Sequence, residues 1–280
     1  MIDLHIHTNH SDGQYSPEDI VYMAKEREIS ILSITDHDTI SGLATGNDCA
    51  KKAGITFIPG IEISVEGNKE LHILGYYVDY TNPFLLDLCD KAMQSREYMK
   101  NRILKYLTSQ GVEITESQIA QYAGGAISRP HFALALLEMG LISTFQEAFE
   151  RYLSTPELLT VDRPKPSPRE AIEVILKANG VPVLAHPSLL MLDKESLDSF
   201  ISDLVSCGLK GIECYYSIHT PEQVAYYMKI AEKYNLLITC GSDFHGERIS
   251  PGKSLGDCGQ FINKRKICNI YNGLKNASLK

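Results

Sequence analysis

Short apolar segments that alternate with helix-start signals constrain the fold of this chain more than any other feature. Residues 2–7 alternate strictly between apolar and polar side chains. Further apolar runs occupy residues 31–35, 56–64, 72–78, 181–186, 211–216 and 236–242. Between them, Ser16, Ser167 and Thr220 each precede a proline and, two residues after it, an acid or amide, an order typical of helix N-termini. Repeated strand and helix predict parallel strands joined by crossover helices, an α/β barrel with fewer than eight regular units.

Residues 82–153 interrupt this rhythm. Helical patterns without a convincing strand cover residues 84–110, a short segment opening at Thr115, residues 129–139 and residues 143–153. We therefore predict a small all-helical insertion at 82–153 in a barrel formed by residues 1–81 and 154–280. Such an insertion either closes over a site as a lid or only stabilises the barrel, and both remain open. Residues 264–280 are expected to form a basic, solvated helix.

Composition and charge narrow the classes of function. The 280 residues carry a formal net charge of −8, which argues against a strongly basic nucleic-acid groove, so we expect no stable complex with DNA. A nucleotide or short oligonucleotide stays open, because bound cations would supply positive charge locally. No apolar run is long enough to cross a membrane, no secretory signal is visible, and the seven cysteines include no C-x-x-C pair. We expect a cytoplasmic protein with reduced thiols and no membrane partner.

Histidines and acids gather at the ends of the apolar runs. Six of the nine histidines and five acids occupy such positions: His5, His7, His37, His72, His186, His245, Asp12, Asp36, Asp38, Glu62 and Asp243. Because the carboxyl ends of parallel barrel strands open on one face, we expect these side chains to converge on a single mouth. One such histidine alone would be an ordinary core or surface residue, but six at equivalent strand ends predict a functional site.

The first histidine pair predicts metal binding directly. His5 and His7 are two residues apart on a strand, so both imidazoles point to the same face and can chelate one ion. Asp12 follows after a loop and adds a hard oxygen ligand, which suits Mn²⁺, Mg²⁺ or Fe²⁺ as well as Zn²⁺. An H-x-H motif is weak by itself and gains specificity from the T-D-H-D, A-H-P and G-S-D-F-H-G segments that follow it along the chain.

These motifs resemble those of a known family. In chain order, H-x-H-x(4)-D, T-D-H, G-I-E, an isolated histidine, A-H-P and G-S-D-x-H resemble the motifs of the PHP (polymerase and histidinol phosphatase) superfamily, from His5 to His245. The chain is most similar to the stand-alone phosphoesterases with a helical insertion, which include 3′,5′-nucleoside bisphosphate phosphatases and 5′→3′ exonucleases of short RNA. The resemblance implies a distorted (β/α)7 TIM-like barrel that holds three divalent metal ions, Mn²⁺ first, with Fe²⁺ or Zn²⁺ as alternatives.

The resemblance also implies the ligands of each ion. The first ion would be held by His5, His7, Glu62 and Asp243. The second ion would be held by Glu62, His72 and His186, which makes Glu62 a bridge. The third ion would be held by Asp12, His37 and His245. All nine positions carry competent ligand types, so we expect a functional metal centre.

Three further residues are candidates for contact with substrate. Arg129 and His131 belong to an R-P-H triplet that resembles a helix start of the same branch, which reaches the substrate phosphate. A guanidinium can grip a phosphate bidentately, and a helix N-terminus adds amide donors. His219, just beyond a strand end, is a candidate for protonating a leaving oxygen or binding phosphate. We expect Asp3 to accept hydrogen bonds from the first histidine pair, and the acids that flank His37 to support ligands.

One segment departs from the branch. Residues 154–166 lack the glycine-rich, aromatic V-P-R pattern that the branch carries there, and Arg163 is a candidate replacement for its basic residue. This departure affects the identity of the substrate more than it affects metal binding.

The resemblance implies a phosphatase that hydrolyses the 3′-phosphate of nucleoside 3′,5′-bisphosphates, such as adenosine 3′,5′-bisphosphate to AMP. A metal-bridging hydroxide would attack the phosphorus while Arg129 and His131 hold the phosphate and His219 serves as acid. Four alternatives stay open: a 5′→3′ exoribonuclease on short oligonucleotides, a histidinol-phosphate or other small-molecule phosphatase, a C–N-cleaving amidohydrolase, and a non-catalytic metal-binding module. The amidohydrolase is disfavoured because Glu62 stands where its bridging lysine would be, and Lys210 precedes its strand.

Overall fold

The computed structural model describes residues 1–68, 70–159 and 164–279. Within them, one sheet contains seven strands in chain order: β1 Ile2–Asp3, β2 Ile31–Ile34, β3 Thr56–Ser64, β4 His72–Tyr76, β5 Val181–Leu184, β6 Gly211–Tyr216 and β7 Leu237–Gly241. The Leu4 N–H donates to the Cys240 carbonyl at 3.2 Å, and Ile6 pairs in parallel with Phe244. The first strand therefore meets the last, and the sheet forms a nearly closed, distorted (β/α)7 barrel, as predicted.

The helices begin with the capping signals that the sequence indicates. They are α1 Pro17–Glu26, α2 Leu43–Ala53, α3 Pro83–Ser109, α4 Glu116–Ala120, α5 Arg129–Glu138, α6 Phe145–Ala148 with a following π-helix Phe149–Leu153, α7 Pro156–Leu159, α8 Pro168–Lys177, a 3₁₀ helix Pro187–Leu190, α9 Lys194–Ser206, α10 Pro221–Lys233 and α11 Lys264–Ser278. Ser16, Ser167 and Thr220 each form a reciprocal capping box with the residue three positions on, which confirms the three predicted helix starts.

Strand β4 corrects the expectation that all the strands are parallel. It pairs antiparallel with both β3 and β5, while the other neighbouring strands pair in parallel. Only residues 65–71 separate β3 from β4. A parallel crossover needs about a dozen residues or more, so this connection is too short for one. His72 consequently begins its strand instead of ending it, and the reversal brings the start of β4 to the same mouth as the ends of its neighbours.

The helical stretch between β4 and β5 has an apolar core of its own. The four predicted helical patterns become α3, α4, α5 and the pair formed by α6 and the π-helix. Their buried core includes Ile103, Leu107, Ile119, Phe132, Leu136, Ala148 and Leu153. Helix α3 joins two cores, because Leu85 and Leu88 lie in the barrel core, whereas the second half of the helix lies in the helical one. The domain boundaries at residues 82 and 153 stay a prediction.

Helix α11 corrects the expectation of a solvated C-terminal helix. Ile270 and Leu274 lie four residues apart on one helix face, and both are buried. The helix packs against β7, and Gly273 permits the close approach, since a Cβ there would lie 3.2 Å from the Leu237 side chain. The apolar positions of this segment, not its lysines, therefore decide where it lies.

Two expectations from composition can be compared with the described residues. None of their helices combines the length and the apolar character that a bilayer span requires. All seven cysteines are free thiols, as the lack of a C-x-x-C pair led us to expect.

Candidate metal centre

The predicted histidines and acids converge at one end of the barrel around Glu62. Its carboxylate is fully buried. Five histidine ring nitrogens lie 3.0–3.3 Å from a carboxylate oxygen of Glu62. Those of His5, His7 and His37 face Oε2, and those of His72 and His186 face Oε1. One carboxylate thus touches five of the six histidines that the sequence placed at strand ends.

Backbone pairing explains how the central acid is held. His37 and Glu62 form an isolated parallel bridge just beyond the paired parts of β2 and β3. The Asp38 N–H donates to the Glu62 carbonyl at 2.9 Å, and the Glu62 N–H donates to the Asp36 carbonyl at 3.2 Å. The T-D-H-D segment and the G-I-E segment are therefore locked side by side.

Asp12 and His245 form a second part of the cluster. Asp12 Oδ1 lies 3.4 Å from His245 Nε2 and 3.6 Å from His7 Nδ1, and its Oδ2 lies 4.0 Å from His37 Nε2. The rings of His7 and His245 stack with centroids 4.0 Å apart. Residues separated by more than 230 positions in the sequence thus meet, as the convergence at one barrel mouth requires.

Asp243 presents its two oxygens to different partners. Its Oδ1 faces three ring nitrogens at 3.3–3.5 Å, those of His5, His7 and His245. Its Oδ2 accepts hydrogen bonds from the Tyr216 hydroxyl at 2.9 Å and from the Lys253 ammonium at 2.8 Å. The sequence analysis did not identify Tyr216 or Lys253, because neither stands at a spacing that links it to Asp243.

Among the described residues, three groups of ligand atoms could hold metal ions, and the atoms of each group lie within 4.8 Å of one another. They are His5, His7, Glu62 and Asp243; His7, Asp12, His37 and His245; and His37, Glu62 and His72. Several of their donor atoms are buried without a hydrogen-bond partner in the described structure: His5 Nε2, His7 Nε2, His37 Nδ1, Asp12 Oδ1 and Glu62 Oε2. Buried polar atoms ordinarily have a hydrogen-bond partner, so these unpaired nitrogen and oxygen atoms fit a site that binds cations.

These groups agree in part with the ligand sets implied by the family resemblance. The first set is the same. The structure adds His7 to the third set, Asp12, His37 and His245. In the second set, Glu62 and His72 are grouped with His37, whereas the resemblance implied His186. His186 Nε2 nevertheless lies 3.0 Å from Glu62 and 3.3 Å from His72 Nδ1, so it remains at the edge of that group.

The cluster combines ionised carboxylates with imidazoles of unequal pKa. Burial alone would raise the pKa of Glu62, but attraction to His37, His5 and His72 outweighs it and holds that pKa well below its usual range. The pKa of Asp12 is lowered in the same way, with burial opposed by neighbouring imidazoles. Burial lowers the pKa of His37 to about 3. At His7, nearby carboxylates outweigh burial and raise the pKa to about 10, and they raise the pKa of His5 in the same way. The carboxylates and His37 are therefore in the protonation states that bind metals, whereas His5 and His7 would release a proton when an ion binds.

Glu213, a buried acid of β6, supports the centre and was missed by the sequence analysis. Its carboxylate accepts hydrogen bonds from the His5 Nδ1–H at 3.1 Å and from the His186 backbone N–H at 2.8 Å. Such a partner fixes the imidazole so that Nε2 carries the lone pair. The sequence signal that could have identified Glu213 was an acid in the middle of an otherwise apolar strand.

Asp3 corrects the expectation that it would bind the rings of the first histidine pair. Its carboxylate accepts hydrogen bonds from the Ser242 N–H at 2.9 Å, the Ser242 hydroxyl at 2.6 Å and the Gly256 N–H at 2.7 Å. From His5 it accepts the backbone N–H at 3.3 Å. The ring of His5 turns to Glu213 on the facing strand, which leaves Asp3 to hold the chain start to the loop after β7.

Two other acids hold neighbouring loops, as expected. Asp36 accepts hydrogen bonds from the Thr8 N–H at 2.7 Å and the Ser11 hydroxyl at 2.6 Å, which fixes the loop before Asp12. Asp38 pairs with Arg96 of α3, with 2.6 Å between Nη2 and Oδ2. The Asp38–Arg96 ion pair joins helix α3 directly to the segment that carries His37.

A cavity of about 380 Å³ adjoins the cluster. Three predicted ligands line it, Asp12, His37 and His72. Four cations also line it: Arg96, Lys100, Arg129 and Lys165. Arg129 is the first residue of α5, is exposed, and forms no ion pair with any residue that the structure describes. Arg163, the candidate replacement in the departing segment, lies outside the described residues.

His131 is placed differently from Arg129. Its Nδ1 accepts a hydrogen bond from the Ser128 N–H at 3.0 Å and so caps α5. Burial lowers the pKa of His131 to about 4, so the ring is neutral and carries its proton on Nε2. That atom is buried and has no partner in the described part of the chain. The helix cap is therefore a structural role, and contact with phosphate stays a prediction.

His219 lies beyond β6 and beside Tyr216. Its Nδ1–H donates to the Cys214 carbonyl at 3.0 Å, and its ring centroid lies 5.0 Å from that of Tyr216. Burial lowers the pKa of His219, and its Nε2 is buried without a partner among the described residues. Because Tyr216 binds Asp243, one side chain separates His219 from the cluster. Its role in catalysis stays a prediction.

Comparison with known proteins identifies the family. The profile of the PHP domain matches residues 3–158, more than half of the chain. The chain belongs to the PHP domain family. The family resemblance and the barrel architecture predicted from the sequence are thereby confirmed.

Individual PHP relatives cover nearly the whole chain. It is 30% identical over 277 residues to the 3′,5′-nucleoside bisphosphate phosphatase of Chromobacterium violaceum, covering 95% of this chain and 93% of that protein. It is 32% identical over 250 residues to the 5′-3′ exoribonuclease Rnm of Escherichia coli, covering 87% and 84%. A crystal structure from Bifidobacterium adolescentis, assigned as a metal-dependent phosphoesterase, superposes with a TM-score of 0.83 at 28% identity, covering 97% and 95%.

These PHP relatives decide the class of reaction. The chain is a metal-dependent phosphoesterase, a hydrolase that acts on phosphoric ester bonds, as predicted. These relatives favour phosphoester hydrolysis over the amidohydrolase and the non-catalytic metal-binding module, although a structure from Chromobacterium violaceum described as an amidohydrolase also superposes, with a TM-score of 0.85 at 28% identity, covering 99% and 96%.

Proposed function

We propose that this PHP protein removes the 3′-phosphate of nucleoside 3′,5′-bisphosphates, converting adenosine 3′,5′-bisphosphate to AMP. The supporting observation is one cavity lined by both metal-ligand candidates and four cations. A bisphosphate carries two separate anionic groups, so the reacting phosphate can lie at the metal centre against Arg129 while the other three cations of the cavity attract the second phosphate. The relative from Chromobacterium violaceum, named for this activity, supports the same substrate class.

The apolar lining of the cavity suits the nucleoside between the two phosphates. It includes Met99, Ile103, Ile127, Phe149 and Leu158, contributed by the helical stretch. Ligand sites commonly combine such apolar surface with a few polar groups that fix orientation. The helical stretch therefore contributes to substrate binding in addition to stabilising the barrel.

We propose that three divalent cations occupy the centre, Mn²⁺ first, with Fe²⁺ or Zn²⁺ as alternatives. The donors are imidazole nitrogens and carboxylate oxygens without thiolates, a set that these ions share. The nine proposed ligands are His5, His7, Asp12, His37, Glu62, His72, His186, Asp243 and His245. When bound, such cations generate a nucleophile from water near neutral pH and offset the charge of the phosphoryl oxygens.

The remaining roles fall to side chains of the chain itself. Arg129 binds and orients the phosphoryl group through its guanidinium, and His131 holds the start of α5 and offers Nε2–H. His219 keeps one proton at Nδ1 through the Cys214 carbonyl, which leaves Nε2 to exchange a proton with the leaving oxygen or to bind phosphate. Arg129, His131 and His219 are thus the proposed catalytic and phosphate-binding residues.

The decisive experiment compares adenosine 3′,5′-bisphosphate with adenosine 3′-phosphate, which lacks only the 5′-phosphate. We expect Mn²⁺-loaded protein to release phosphate from the bisphosphate with a kcat/KM about 10- to 150-fold higher, because one charge-assisted contact contributes about 1.5–3 kcal/mol. The expected nucleotide product is 5′-AMP. Equal kcat/KM values for the two substrates would contradict the two-anion cavity, and p-nitrophenyl phosphate serves as a non-nucleotide control.

A second candidate, a 5′→3′ exoribonuclease on short oligonucleotides, is supported by the relative from Escherichia coli named for that activity. A 5′-phosphorylated RNA pentamer in the same assay separates the two. Mononucleotides released in order from the 5′ end, at a higher kcat/KM than phosphate from the bisphosphate, would favour the exoribonuclease. Histidinol phosphate, with one phosphate and no nucleobase, is expected to be a poor substrate.

A further inference from the structure

Tyr216 and Lys253 form a closed triangle with the outer oxygen of Asp243. The Lys253 ammonium lies 2.8 Å from Asp243 Oδ2 and 3.0 Å from the Tyr216 hydroxyl, which itself lies 2.9 Å from Oδ2. The ammonium also lies 4.8 Å from the centre of the Tyr216 ring. One oxygen of Asp243 is therefore engaged on the side away from the imidazoles, while Oδ1 faces them.

We propose that Tyr216 and Lys253 are positioning residues that leave Oδ1 of Asp243 as the only oxygen available to a metal ion. This inference rests on the proposed metal centre, in which Asp243 is a ligand. Turning the carboxylate to offer both oxygens would break two charge-assisted hydrogen bonds and would leave the ammonium without its partner carboxylate. The triangle therefore opposes two-oxygen binding.

Local structure places both residues where this role requires them. Tyr216 ends β6 and is 1% exposed, and Lys253 follows a turn in which the Ser250 N–H donates to the Gly246 carbonyl at 2.9 Å. Asp243 itself has a φ of 54°, a left-handed backbone that non-glycine residues seldom adopt. A residue held in that conformation presents its side chain in a restricted direction, and the triangle restricts it further.

The chain offers a matched control on the opposite face of the same strand. Tyr215 is also buried, and its hydroxyl donates to Met228 Sδ at 3.6 Å, away from the cluster. Lys266 lies over the Tyr215 ring at 5.1 Å, as Lys253 does over Tyr216. Tyr215→Phe and Lys266→Met remove the same chemical groups without touching Asp243.

The test measures Mn²⁺ binding to metal-free protein by calorimetry. We expect Tyr216→Phe to weaken binding at one site by about 10- to 100-fold, a typical effect for a residue that orients a metal ligand. Tyr215→Phe should bind Mn²⁺ as the wild type does. Affinity within twofold of wild type in a folded Tyr216→Phe variant would overturn the inference.

A second variant keeps the inference testable if Tyr216→Phe does not fold. In a crystal structure of Mn²⁺-loaded Lys253→Met, we expect Asp243 to turn both oxygens toward the metal, whereas Lys266→Met should keep the wild-type orientation. An unchanged Asp243 in Lys253→Met would overturn the inference.

The variant Asp243→Ala distinguishes the two proposals. If it binds as much Mn²⁺ as wild type, the proposed metal centre fails. If it loses a site that Tyr216→Phe retains at full affinity, the positioning role alone fails.

Discussion

Three residues link the three ligand groups into a ring. His7, His37 and Glu62 each belong to two of the groups, and each pair of groups shares one of them. If each group holds an ion, a shared ligand must suit both ions, so a change at one of these residues would disturb two sites at once. The other candidate ligands of these groups, such as Asp12 or Asp243, belong to one group each, so their loss should be more local.

Arg129 gives the sharpest prediction for a single residue. Arg129→Ala should lower kcat/KM for the bisphosphate by about 10- to 150-fold, the loss of one charge-assisted hydrogen-bonding group. Metal content, measured by elemental analysis, should not change, because Arg129 touches no proposed ligand. Arg151→Ala is the control, since Arg151 pairs with Glu147 on the exposed surface. Activity within twofold of wild type would remove Arg129 from the proposed site.

The convergence of the candidate ligands could be predicted from the sequence, whereas the residues that support them could not. The two-residue spacing of His5 and His7 alone puts both rings on one strand face. Glu213, by contrast, stands 208 positions from the His5 ring that it binds. Lys253 comes from a loop without a periodic pattern. Local periodicity determines which way a side chain points from its strand, but not which partner arrives from elsewhere in the chain.

Among the secondary-structure elements, strand β4 shows the same contrast between a feature that the sequence predicts and one that it does not. Its apolar run and its first histidine were recognised, but its direction was not, because we inferred direction from the rhythm of the other strands. The length of the connection held the missing signal, since residues 65–71 are too few for a crossover. Helix starts were predicted more reliably, because a capping box such as that of Ser167 is complete within four consecutive residues.

The loop between α4 and α5 gives a prediction for an element. The Gly124 N–H donates to the Asn9 carbonyl at 2.6 Å, and a Cβ on Gly125 would collide with the carbonyl of His10. Gly125→Ala should therefore push this loop, and the start of α5, away from residues 9–12, the segment that carries the candidate ligand Asp12. We expect kcat/KM to fall about 10- to 100-fold, as small displacements of substrate-positioning groups do.

The control for this variant is Gly111→Ala in the same helical stretch. A Cβ there would meet nothing within 4 Å, although the φ of 76° makes alanine locally strained. That variant should lose some stability in thermal unfolding but keep its kcat/KM. If both variants lost activity equally, general destabilisation, not displacement of the loop, would explain the effect.

For the whole molecule, metal occupancy should be visible as stability. A cation that binds only the folded chain adds about 2.7 kcal/mol at a hundred times its Kd, which corresponds to a rise in Tm of about 5 °C for a chain of 280 residues. Protein stripped with EDTA should therefore melt at a lower temperature, and Mn²⁺ should restore the Tm. Ca²⁺, which prefers oxygen ligands, should restore less of it. An EDTA-treated protein with an unchanged Tm would contradict a metal centre of this kind.

The continuous helix α3 determines how this molecule can be recombined with its relatives. It is 27 residues long, starts among the apolar side chains of the barrel and ends among those of the helical stretch. In a chimera joined inside α3, Leu85 and Leu88 would come from one parent and Ile103 and Leu107 from the other. One continuous helix would then have to fit the barrel core of one parent and the helical core of the other. Exchange of substrate preference between relatives therefore requires a junction before Pro83, so that the entire helix travels with the donated segment and only its first turns must be refitted to the host.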